Sequence, residues 1–133
     1  MPKDFLGGVD NNMGAIKPLH LTGCIMIIRT HNTTEVEVGG TALCGQLRGV
    51  TYKQLIATFG EPAKPYDYKS DAEWYLEVQD NDGATVVATI YNWKNGKNYL
   101  GAEGTPTENI TTWNIGGHTQ RAVEIVRSLL LVP

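Results

Sequence analysis

The residues from Tyr91 to Gly101, YNWKNGKNYLG, bring together Tyr91, Trp93 and Tyr99, the lysines Lys94 and Lys97, and the asparagines Asn92, Asn95 and Asn98. Aromatic faces, ammonium donors and amide groups on a glycine-bearing backbone are the chemistry that holds a planar, anionic ligand. If the strand leading into this stretch keeps its register, Tyr91 and Trp93 share one face and Asn92 points to the other. On that reading Tyr91 and Trp93 pack, with one or the other also offering a stacking surface. Asn92, Lys94, Lys97, Asn98 and Tyr99 are then the contact residues of a loop that closes on its ligand, with Thr105 farther along it. A plainer account places Trp93 in the core and leaves the lysines as solvated charges.

A second constellation is WNIGGHTQR, Trp113 to Arg121. A strand, two glycines and a helix start aim backbone N–H groups and a helix N-terminus at one point, which makes an anion site. Gly116 and Gly117 would supply the backbone, and His118 and Arg121 the side chains. A cation in a first helical turn opposes the dipole, so Arg121 is expected to have another partner. Arg29 and Arg48 complete the candidate ligand contacts. The alternative is a tight Gly-Gly turn followed by a surface arginine, and a lone Gly-Gly is a weak signal.

The residue types give little support to catalysis. His20, His31 and His118 are scattered, without HxH, HxxxH or HxD spacing, so neither a metal nor a cofactor is expected. Cys44 before Gly45 reads as a structural cysteine more readily than as a nucleophile. Glu73 with Glu77, or Asp80 with Asp82, would serve as an acid and base pair, and exposed strand and turn carboxylates explain them equally well. No GxxxxGK[ST] or GxGxxG motif occurs.

The 133 residues fit one domain with a core of its own, and 41% apolar against 19% charged residues describes a soluble globular chain. Eleven basic against 14 acidic residues give a net charge of −3, which argues against broad binding to duplex nucleic acid. No apolar run is long enough to span a membrane. Two cysteines without CxxC spacing and an N-terminus without signal architecture suggest reduced thiols inside a cell. The sequons at Asn32 and Asn109 then read as chance.

Several elements must position these residues. Residues 1–22, rich in Gly, Asn and Pro, read as an arm. Cys24–Arg29 and Glu35–Val38 read as a hairpin. In TYKQLIATFG, Tyr52, Leu55, Ile56 and Phe59 share a helical face, Thr51 caps the start and Gly60 the end. Trp74, Leu76 and Val78 alternate with polar neighbours, DNDG (80–83) turns the chain, and Ala84–Tyr91 returns as a strand. A long loop spans 92–111. Thr112–Ile115 closes the sheet, and a second helix starts near Thr119, burying Ala122, Val123, Val126, Leu129 and Leu130. The expected fold is α+β, a mainly antiparallel sheet with two helices on one side.

Four blocks, TYKQLIATFGEP (51–62), DAEW (71–74), TIYNWK (89–94) and WNIGGH (113–118), together resemble small phage accessory proteins. Among these the chain is most similar to the first Thoeris anti-defence family, over roughly residues 50 to 130. The resemblance implies a sponge that sequesters a cyclic ADP-ribose signal, and in some members cyclic oligonucleotides, without cleaving it. It implies homo-oligomers with shared pockets, acting in the cytoplasm of an infected bacterial host cell. The ligand would then meet the polar and aromatic positions after Ile90 and the Gly116–Arg121 corner. A protein-binding inhibitor of a defence effector is the chief alternative, and a hydrolase of the same signals a third.

Overall fold

The computed structural model describes residues 27–65, 67–80 and 82–132. The expected 1–22 arm and the start of the strand at Cys24 lie outside them. Five strands form one antiparallel sheet: β1 (Ile27–Thr30), β2 (Ala42–Arg48), β3 (Glu73–Gln79), β4 (Thr85–Tyr91) and β5 (Thr112–Gly117). Their spatial order is β1-β3-β4-β5-β2. Helices α1 (Tyr52–Phe59) and α3 (Arg121–Leu130) cover one face, and a one-turn α2 (Lys97–Leu100) sits in the long loop. The α+β expectation holds, with α2 as an addition.

Alternation fixes which face is covered. Trp74, Leu76 and Val78 of β3 are buried, and the register sets them opposite Ile90, Ala88 and Val86 of β4. Ile90 in turn faces Ile115 of β5. The two tryptophans of this core, Trp74 and Trp113, meet edge to face at 5.6 Å between centroids, with Tyr52 of α1 against both. Each indole also finds an acceptor, Trp74 Nε1 donating to the Gly60 carbonyl and Trp113 Nε1 to that of Val50, both at 2.8 Å. Burying a large ring while satisfying its one polar atom gains the packing without a desolvation penalty.

Helix α1 begins and ends as its sequence requires. Gln54 N donates to Thr51 Oγ1 at 3.0 Å while Thr51 N donates to Gln54 Oε1 at 2.7 Å, a full capping box. Gly60 takes φ 86° after the last turn, a region closed to most side chains. Helix α3 buries Ala122, Val123, Ile125, Val126 and Leu129. It lies close to the sheet because two strand positions lack side chains. A Cβ on Gly117 would stand 2.4 Å from the Ala122 Cβ, and one on Gly45 would stand 2.9 Å from Val123 Cγ2.

Three expectations are corrected. The Cys24–Val38 hairpin does not form: β1 pairs with β3, Arg29 opposite Glu77, and 35–38 has no regular structure. The second strand is instead Ala42–Arg48, hidden in the sequence by Gly45 and a register shift between Leu43 and Gly45. Gly116 and Gly117 are no turn. They end β5, hydrogen-bonded between β4 and β2, and the helix starts only at Arg121. The outer edge of β2 is closed from α3, where Gln120 Nε2 donates to the Cys44 carbonyl at 2.9 Å and Arg127 Nη2 to that of Gln46 at 3.0 Å.

Candidate ligand-binding cleft

Among the described residues the sheet face away from the helices carries no helix, and its residues follow from the same register. One row runs Tyr75, Thr89, Gly116 across β3, β4 and β5, and the next runs Glu73, Tyr91, Asn114, Gln46 on to β2. Above these rows lies a cleft of about 470 Å³. Its floor is Thr89 and Gly116, its aromatic walls are Tyr75, Tyr91 and Trp93, and Val38, Thr41 and Ala42 close the far side. Gly116 is needed for the floor's shape, since a Cβ there would stand 2.4 Å from Thr89 Oγ1. Tyr91 and Trp93 meet edge to face at 6.1 Å and form two perpendicular walls.

Two carboxylates, Glu73 and Asp67, also line the cleft, and among the described residues no lysine or arginine does. Among the described residues neither has an ion-pair partner. Glu73 Oε1 accepts a short hydrogen bond from the Tyr75 hydroxyl, and Tyr75 is itself held by His31. The His31 ring meets Tyr75 edge on at 5.8 Å, its Nδ1 accepts from Tyr75 N at 3.3 Å and its Nε2 donates to the Glu61 carbonyl at 2.9 Å. Those two bonds assign the proton of the neutral ring to Nε2. Burial and then Glu73 push the Tyr75 phenol well above its ordinary value, so it stays a donor. Tyr91 is raised by burial first, then by Glu73 and Cys44, against the opposing effect of its hydrogen bond with Asn114.

The loop after Tyr91 is tied down. Asn92 is 1% exposed, and its Oδ1 accepts from Asp71 N at 2.7 Å and Ala72 N at 3.1 Å. Its Nδ2 donates to Asp71 Oδ1 and to Asn95 Oδ1, both at 2.9 Å. Every site of that amide is used. Asn98 extends the network, its backbone N donating to Asp71 Oδ2 at 3.0 Å and its side chain to the Ser70 carbonyl at 2.9 Å. Gly96 packs on Asp71 and Gly104 on Gly96 so closely that neither admits a Cβ. Asn92 and Asn98 therefore rivet the segment, Asn92 from the inside and Asn98 from an exposed position, and the segment does not have the form of a free lid.

Trp93 reverses the expectation in the other sense: it is 45% exposed. Lys69 Nζ and Lys94 Nζ lie 5.5 and 5.7 Å from its ring centroid, and Lys94 also lies 5.4 Å from that of Tyr99. Tyr99 stacks on Tyr68 at 5.6 Å and 11°. Lys94 holds φ 60°, and its N–H donates to the Lys69 carbonyl at 2.7 Å, which fixes the two lysine-bearing turns side by side. The rim of the cleft thus carries two lysines among aromatic rings, while its described lining carries two carboxylates among aromatic rings, Glu73 half-buried and Asp67 exposed at the margin.

Of the remaining candidates, Tyr91, Lys94, Tyr99 and Gly116 belong to the cleft or its rim. Lys97 and Thr105 are exposed along the loop, Thr105 bridging Gly96. Gly117 faces α3, and His118 is exposed near Gly40. Arg121 does have other partners, Asp80 at 3.7 Å and Glu124 at 3.1 Å. Arg48 lies on edge strand β2, bonded to Gln46 Oε1 at 2.9 Å, and Arg29 on β1 at the opposite edge. The glycine corner does not assemble as an anion site. Tyr75, Thr89, Asp67, Tyr68 and Lys69 are cleft or rim residues that the sequence reading did not select. The one signal for them was period two: a tyrosine between Glu73 and Glu77, on the face opposite Trp74.

Among the described residues no group of three or more His, Cys, Asp or Glu side chains is placed to hold a metal ion, and no helix is long and apolar enough to cross a membrane. The chain matches no protein-family model, no curated protein and no solved structure.

Proposed function

We propose that the chain binds a cyclic nucleotide signal on its bare sheet face and sequesters it without cleaving it, in the manner of a phage anti-defence sponge. The observation that supports this reading is the position of Trp93. Its ring forms a wall of the cleft and also lies beneath the Lys69 and Lys94 ammonium groups. A nucleotide has the same two-part character: a planar base that stacks, and phosphates that seek cations outside the acidic interior. Binding of this kind needs walls, donors and acceptors already in place, and a floor of hydrogen-bonded strand provides them. A homo-oligomer whose protomers complete one another's clefts, in the cytoplasm of an infected bacterium, is part of the proposal.

The test is a thermal-shift panel of cyclic ADP-ribose isomers and cyclic di- and trinucleotides, followed by heat release of bound ligand. A ligand at 100 times its Kd stabilises the native state by about 2.7 kcal/mol, a clear shift for a chain of this size. Intact ligand after release supports sequestration, and a cleaved product moves the protein to the hydrolases. One observation favours a second reading, an inhibitor that binds a protein. Tyr68, Trp93, Tyr99 and two lysines form an exposed patch of the type found at interface hot spots. On that reading no nucleotide shifts the melting temperature and a host protein co-purifies.

A further inference from the structure

The cleft and its rim are built for opposite charges. A site meant wholly for an anion would place its cations inside, where low dielectric strengthens them. Here the described lining carries half-buried Glu73 and, exposed at its margin, Asp67, with no cation among the described residues, and both lysines of the rim stand outside it. Around the two carboxylates are Tyr75, Tyr91 and Trp93, three aromatic rings with electron-rich faces. Aromatic walls combined with carboxylates are the chemistry that recognises a delocalised cation. Glu73 is also pre-oriented for it. Its Oε1 is held by the Tyr75 hydroxyl, and its Oε2 makes no hydrogen bond among the described residues.

We propose that the cleft selects a positively charged, N-alkylated heterocycle, so that the ligand is a zwitterionic nucleotide with its cationic ring between Tyr75, Tyr91 and Trp93 and its phosphates at Lys69 and Lys94. This rests on the sequestering function proposed above and names the class of ligand that the site takes. A neutral base of the same shape stacks as well but gains nothing from Glu73 and Asp67. Rings that place positive charge within the cleft are favoured by roughly 2- to 30-fold, the range a cation–π contact supplies.

Two probes differ at that point alone. Cyclic ADP-ribose closed through adenine N1 carries a protonated amidine ring, and its hypoxanthine counterpart, with oxygen in place of the exocyclic nitrogen, carries a neutral one. Calorimetric titration of the full chain with each should show tighter binding of the charged ring. The variants E73Q and D67N, made together, should bring the two affinities to about the same value, with the melting temperature of the unliganded protein unchanged. Should the double variant not fold, D67N alone, at an exposed position, gives the same comparison with a smaller drop. Equal affinity of the wild type for both probes, or a preference that survives the substitutions, overturns the cation assignment and leaves sequestration standing. Failure of the wild type to bind either probe overturns the cation assignment, and failure with every member of the thermal-shift panel overturns sequestration as well.

Discussion

The two faces of the sheet are built from alternate residues of the same strands, yet they follow different rules. On the helix-covered face Trp74, Leu76, Ile90, Trp113 and Ile115 exclude water, and each polar atom among them is bonded to backbone. On the bare face Glu73, Tyr75, Tyr91, Asn114 and Gln46 are half-buried, bonded to one another and open to a ligand. One face provides stability and the other carries the proposed site, and a single step along a strand passes from one to the other. The step from Asn92 to Trp93 repeats the contrast outside the strand: the amide is locked inside while the indole faces solvent.

The contrast is broken most severely on the covered face. Trp113→Ala should cost about 3–5 kcal/mol, read as a lower urea midpoint, because a fully buried ring leaves a cavity and an orphaned Val50 carbonyl. Asn92→Leu should cost about 2–3 kcal/mol in the same measurement, since it leaves the Asp71 and Ala72 N–H groups without acceptors. Trp93→Ala, one residue away, should change stability by less than about 0.5 kcal/mol in the same measurement. Its effect appears in titration calorimetry, where nucleotide affinity should fall by about 1–3 kcal/mol. Replacing Lys69 and Lys94 together by alanine should weaken binding by about 1 kcal/mol, less at high salt, whereas Lys97→Ala should leave it unchanged. Equal losses from Lys97 and Lys94 would erase the distinction between rim and loop.

The smallest effect is one of pH and concerns the tyrosines of the bare face. The folded Tyr75 phenol is raised above its unfolded value of 10.0, so the folded state holds its proton more tightly. That contribution is fully present below about pH 10 and is lost as the pH rises toward the folded value. Melting temperature should therefore decline above pH 10, and Tyr75→Phe should make the decline shallower.

How much of this was legible in the sequence depended on whether the cause was local. Helix α1 is written in one stretch, with cap, apolar face and terminating glycine, and it forms as read. The β3–β4 hairpin is equally local, with alternating Trp74, Leu76 and Val78 and a glycine turn. Strand β1 was misassigned because its partner is not the neighbouring Glu35–Val38 but β3, more than forty residues away in the chain. Gly116 and Gly117 looked like punctuation, although their cause is tertiary: Thr89 presses on one and Ala122 on the other. In the loop the burial came out opposite to the reading, with Asn92 locked inside and Trp93 exposed. No local pattern tells that the Asn92 amide will meet two backbone N–H groups twenty residues upstream.

The closed edge of β2 bears on how copies of the chain can meet. Gln120 and Arg127, two helical turns apart, occupy the outward carbonyls of Cys44 and Gln46, alternate residues of the strand. A second molecule adding its own strand there would first have to evict both side chains and leave the Arg127 guanidinium seeking another acceptor. Growth of one continuous sheet from molecule to molecule is thereby blocked at that margin.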